Sequence, residues 1–149
     1  MAREIGDLGL TLIEGFEQFR GKPYQDAVGI WTIGYGAIWG LDGLRVTAAH
    51  PPITEEQAAA LLQRDARKAA GAVSRFVRPD IEMYQFDALC SFAFNLGSGA
   101  LQASTLRQVI NRGEDPPEEL WTRWDMAGGR HLRGLRVRRL AERQLYEAA

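Results

Sequence analysis

Within the segment FEQFRGKPYQDAVGIWTIGYG, Phe16 to Gly36, three side chains have the chemistry to act on a substrate together: Glu17, Asp26 and Thr32. The aspartate follows the glutamate by nine residues, and the threonine follows the aspartate by six. Two carboxyl groups suit cleavage of a glycosidic bond, where one protonates the leaving oxygen and the other activates or stabilises on the opposite face. A hydroxyl is donor and acceptor in one group and can hold a water. Most carboxylates are simply solvated, and a strand threonine is first a β-branched packing residue, so spacing alone leaves both readings open. Glu14 is a competing acid, twelve residues before Asp26.

These residues need elements to hold them. Ile5, Leu8, Leu12 and Phe16 recur at helical spacing, with Asp7, Thr11 and Glu14 opposite, which predicts a short amphipathic first helix that leaves Glu14 in solvent. Gly21, Pro23, Gly29, Gly34 and Gly36 then punctuate aromatic and β-branched residues, and predict strands near Lys22–Tyr24 and Ile30–Tyr35 with a turn at Asp26–Gly29. A further hairpin or loop, IWGLDGLRVTAAHPP, ends in a Pro-Pro stop. Thr54 opens the longest helix through the capping box TEEQ. At ~1.5 Å per residue this rod reaches about 35 Å, enough to join two lobes.

Everything beyond reads as helical. YQFDALCSFAFNLG is apolar on most sides, as in a buried central helix. STLRQVINRG has a serine cap and a glycine stop, PPEELWTRWDM begins with proline, and LRVRRLAERQLYEA closes the chain. The expected class is α+β, mainly α. With 149 residues, 46% hydrophobic and 25% charged, the chain can bury a real core.

A net charge of −1 gives no overall field toward nucleic acid or membrane. One cysteine, Cys90, excludes an internal disulfide and reads as a buried thiol, and the two histidines lie in no metal-binding motif. The first fifteen residues hold no continuous apolar run, which predicts neither export signal nor membrane anchor. Arginines at 130, 133, 136, 138, 139 and 143 make the C-terminal region basic, but the upstream GEDPPEEL offsets them and no aromatics interleave for base stacking. A solvated or intramolecular role is expected, with Arg136 or Arg139 reaching back to Glu14 or Glu17. Trp121 and Trp124, a helical turn apart, read as core.

FEQFRGKPYQDAVGIWTIGYG resembles the N-terminal signature of the phage-type lysozymes, the endolysins of glycoside hydrolase family 24. ITEEQAAALLQRDA, SFAFNLGSGALQASTLRQVIN and GLRVRRLAERQLY are similar to later segments of that family, in the same order. The resemblance implies a single lysozyme domain over residues 1–149. It would have a small N-terminal lobe of β-hairpins at about 14–53, an inter-lobe helix at about 54–78, and a helical C-terminal lobe at about 79–149 on which the first helix, 3–16, packs. It also implies hydrolysis of the β-1,4 bond between N-acetylmuramic acid and N-acetylglucosamine in peptidoglycan, with no metal or cofactor.

In that reading Glu17 is the general acid, and motif alignment puts it ahead of Glu14. Asp26 orients the attacking water and stabilises developing positive charge, Thr32 holds that water, and Asn95 with Phe94 binds substrate at an N-acetyl group. Family precedent favours inversion, with carboxyl groups roughly 6.5–9.5 Å apart. The implied partners are peptidoglycan glycan strands, with no nucleic acid and no membrane anchor. The chain would be a monomer made in the host cytoplasm, acting on the wall after holin-dependent release.

Ala37 stands where the family often has histidine, which removes a polar contact but none of the three central residues. The alternatives are a wall-binding or scaffolding module of the same fold without turnover, a nucleic-acid binder using the C-terminal arginines, and a transglycosylase.

Overall fold

The computed structural model of the protein describes residues 3–148. Its elements are α1 (Asp7–Glu17), β1 (Arg20–Gln25), β2 (Trp31–Gly34), α2 (Glu55–Phe76), α3 (Met83–Leu96), α4 (Ser98–Ala103), α5 (Thr105–Asn111), α6 (Glu118–Thr122), β3 (Met126–Ala127), β4 (Arg130–His131) and α7 (Arg133–Tyr146). This is the expected α+β class, mainly helical. The chain forms two compact units: Ile13–Ala66, and the described residues up to Leu12 together with those from Arg67 onward.

The hairpin unit, Ile13–Ala66, is built on the antiparallel pair β1–β2, with Tyr24 opposite Thr32 and Gln25 opposite Trp31. Arg20 pairs with Gly34, so four steps along β1 face two along β2. The surplus falls at Gly21-Lys22-Pro23, where proline, lacking an amide hydrogen, removes no ladder bond. Mutual Ile33–Ala37 backbone bonds at 2.9 Å close the next turn. Trp39 and Arg45 bridge a tight hairpin in IWGLDGLRV.

Ile33, Ala37, Val46, Ile53, Ala58 and Leu61 form this unit's core, with Phe19, Trp31 and Tyr35 packed against it. The capping box forms as expected: Gln57 N–H donates to Thr54 Oγ1 at 3.1 Å, and Thr54 N–H donates to Gln57 Oε1 at 2.9 Å.

In the helical unit α3 is the buried hub. Phe86 through Ala93 are all buried, Cys90 among them. Trp121 and Trp124 both meet the Phe92 ring nearly edge-on, with centroids at 6.2 and 5.8 Å. Buried Asp87 accepts from the amides of Gly6 and Gly9 at 2.8 and 3.0 Å, which caps the start of α1.

The expected apolar stripe of the first helix is corrected here. Leu8 is 59% exposed, whereas Ile5 is buried, as is Gly9. The close approach explains the shift: a Cβ on Gly9 would meet Asp87 Cβ at 2.9 Å, so the helix packs through its smallest side.

One further expectation changes. The C-terminal region is not wholly helical, because β3 and β4 pair as a hairpin around Gly128 and Gly129, with φ of 59° and 75°. Such a two-residue turn needs positive φ at both positions. Arg139 has its carboxylate partner within its own helix, α7. It is fully buried and binds Glu142 through two bonds of 2.7 and 2.8 Å, while Ser91 Oγ donates to the same carboxylate at 2.6 Å. Burial pushes the Glu142 carboxyl above its usual range, opposed first by Arg139 and then by Ser91 and Arg138.

Candidate active site

Glu17 is the last residue of α1. The next residue, Gln18, has φ of 57°, the one positive value at a non-glycine among the described residues, while its amide still donates to Glu14 O at 3.0 Å. A left-handed L-residue costs roughly 1–2 kcal/mol. In return the chain passes from helix to β1 within two residues, carrying Glu17 at the junction. The half-buried Glu17 carboxyl lies against the turn after β2: a Cβ on Gly36 would come within 3.1 Å of Glu17 Oε2. Gly36 itself has φ of 91°, which only glycine adopts readily.

Asp26 closes the β1–β2 turn. Its Oδ1 accepts from the amides of Val28 and Ile30, both at 2.9 Å, and its own amide donates to Ile30 O at 2.9 Å. This local loop of side chain onto backbone is the reason aspartate favours such turns. One carboxylate oxygen is thereby anchored, while Oδ2 accepts no hydrogen bond among the described residues. Thr32 is 4% exposed, and its hydroxyl donates to Ile30 O at 2.9 Å. The donor is used and the oxygen keeps acceptor capacity.

Tyr24 is a residue that the spacing argument missed. It pairs across the hairpin with Thr32, and the Arg20 guanidinium lies 4.2 Å from its ring centroid. The irregularity in β1 brings Arg20 and Tyr24 together, since only one β2 residue, Ile33, separates their partners. Burial pushes the Tyr24 phenol above its ordinary range; Arg20 opposes this, and the charges of Glu17 and Asp26 add to it. Tyr24 therefore feels both carboxylates. The sequence signal is slight: Tyr24 lies two residues before Asp26, at the end of the strand that leads into its turn.

Glu17, Asp26 and Thr32 thus belong to one compact unit. Phe19 packs on Tyr35 at 5.8 Å, and Ala37 is buried in the same core, where a methyl fits. Phe94 and Asn95 belong to the helical unit, in the last turn of α3. Asn95 Oδ1 is buried and accepts no hydrogen bond among the described residues. Among the described residues no group of three or more His, Cys, Asp or Glu is placed to hold a metal ion. No helix among them is long and apolar enough to cross a membrane.

The family described as Phage lysozyme matches residues 14–142. An endolysin of Bacillus phage B103 is 38% identical over 147 residues, covering 95% of this chain and 53% of its own length. The chain thus spans about half of that relative. An endolysin of Acyrthosiphon pisum secondary endosymbiont phage 1 is 35% identical, covering 97% of this chain and 99% of its own. Among solved structures, the endolysin from Escherichia coli O157:H7 phage FAHEc1 superposes with a TM-score of 0.88 at 33% identity, over 97% of this chain and 94% of that one.

Proposed function

From the premise that this chain belongs to the phage lysozyme family, we propose that it is an endolysin that hydrolyses bacterial peptidoglycan. The bond cleaved is the β-1,4 link between N-acetylmuramic acid and N-acetylglucosamine, and the outcome is inversion. Glu17 donates a proton to the leaving glycosidic oxygen. Asp26 accepts a proton from the attacking water and offsets the positive charge that develops on the sugar ring. Thr32, with its hydroxyl proton committed to Ile30 O, accepts a hydrogen bond from that water and so sets its direction. Tyr24 and Arg20 support the hairpin face on which this happens.

The observation that carries this reading is the asymmetric anchoring of Asp26. Two backbone amides hold Oδ1, so the second oxygen can work as a base without the side chain having to be reoriented first. Asn95 fits a substrate role for a related reason. A buried acceptor without a donor is costly, and the N–H of an N-acetyl group would satisfy it. Action at the cell wall, release there by a holin and function as a monomer belong to the same proposal.

Clearing of purified peptidoglycan by wild type, Glu17→Gln and Glu14→Gln tests it, with folding checked for each. Loss of reducing-end release in Glu17→Gln alone is the expected result. Wall binding by wild type without any release of reducing ends would replace the enzyme with a scaffold.

A further inference from the structure

The second half of α2 carries a row of cations. Arg67, Lys68 and Arg75 line an open recess of about 290 Å³ together with Phe76 and Ser98, and none of the described residues lining it is acidic. Gly71 lies between the cations, and a Cβ there would meet nothing within 4 Å, so the recess is shallow and accessible. Its charge is local, since the whole chain carries only −1.

The ionic pairing of these groups is incomplete. Arg67 meets Glu4 at 3.2 Å, with the two side chains 62% and 60% exposed. A pair so exposed contributes little, so an incoming anion can take Arg67 over. Neither Lys68 nor Arg75 has an acidic partner among the described residues. Arg107 adds fixed positive charge beside Phe76: its Nε donates to Phe76 O at 2.8 Å, and its guanidinium lies 5.4 Å from the ring centroid.

Arg67 and Arg75 are eight residues apart, about 12 Å along a helix rising ~1.5 Å per residue. A single carboxylate is saturated by one guanidinium fork, whereas a phosphate presents oxygens on several sides to which separate cations can converge. Three cations over this length fit successive charges of a flexible phosphodiester chain. Duplex binders gain affinity with the number of phosphates they neutralise, and three cations on one helix face neutralise few.

We propose that this recess binds a phosphodiester polymer of the bacterial envelope and so retains the protein beside its glycan. The choice of polymer rests on the peptidoglycan-hydrolase reading, while the anion site itself does not.

The test is binding of the full chain to a synthetic glycerol-phosphate oligomer across a salt titration, with thermal melts confirming each variant's fold. Wild type binds, and the affinity falls as salt rises. Lys68→Gln combined with Arg75→Gln weakens binding on the order of tenfold or more. Glu4→Gln releases Arg67 and tightens binding by about two- to fivefold. Glu17→Gln keeps the oligomer affinity whether or not it loses glycan cleavage, which separates failure of this site from failure of the hydrolase reading. On walls stripped of phosphate polymer the double variant releases reducing ends as wild type does; on unstripped walls it is slower. Equal oligomer affinity for wild type and double variant would overturn the proposal, as would binding of duplex DNA with none of the oligomer.

Discussion

The two units of the chain treat charge in opposite ways. In the helical unit Arg139 and Glu142 are fully buried, and the carboxylate is held by two bonds from Arg139, a longer one from Arg138 and the Ser91 hydroxyl. Asp87, also buried, has each oxygen on a backbone amide. In the hairpin unit Asp26 is only half-buried, with one oxygen anchored and the other left to accept. A carboxylate whose oxygens are all matched inside a core determines structure. One that is fixed by half and left accessible by half suits the base proposed for the reaction. Composition cannot separate the two, because both units contain the same residue types.

That contrast breaks most visibly when a buried partner is removed. Arg139→Ala leaves the buried Glu142 with only Arg138, at 3.4 Å, as a cation and costs about 3 kcal/mol of stability, read as a drop in denaturant midpoint. Below the new transition its reducing-end release stays near wild type. Gly36→Ala acts in the other unit and in the other sense. Its Cβ presses on Glu17 Oε2 at a positive-φ position. A displacement of this kind lowers turnover on the order of a hundredfold, measured as kcat on soluble glycan.

Thr54→Ala removes the α2 cap while touching neither charge set. It lowers stability by about 1 kcal/mol in a thermal melt and leaves kcat unchanged. Cys90 gives the smallest effect. Burial first, and then Asp87, raise its thiol pKa far above the ordinary value, so a thiol-specific reagent reacts with the native protein only at the rate of unfolding.

Much of this was legible before any coordinates. The TEEQ box states its own hydrogen bonds, and the glycine-punctuated stretch after Gln18 requires tight antiparallel turns. Other features were hidden for physical reasons. Periodicity shows that α1 has an apolar side but not that its contact runs through Gly9, since glycine adds nothing to an apolar stripe. The β3–β4 hairpin is two residues per strand, too short for an alternating pattern, and only its paired glycines announce it.

The C-terminal arginines read as solvated or intramolecular, and residue type alone did not single out Glu142, three positions after Arg139 and four after Arg138, where a helix brings side chains together. For the candidate site, the order Glu17, Asp26, Thr32 is visible in the sequence. The contact of Glu17 with the Gly36 turn, and the place of Tyr24 opposite Thr32, depend on a register that spacing does not contain.

The division of labour between the units is tested most directly by Glu17→Gln and Glu142→Gln side by side, with reducing-end release and thermal midpoint recorded on the same preparations. Glu17→Gln should lose activity on the order of 10²–10⁴-fold with its midpoint near wild type. Glu142→Gln should melt several degrees lower, at about 2–4 °C per kcal/mol lost, yet keep its specific activity while folded. A folded Glu142→Gln without turnover, or a Glu17→Gln that still cleaves at the wild-type rate, would contradict the assignment of chemistry to the hairpin unit.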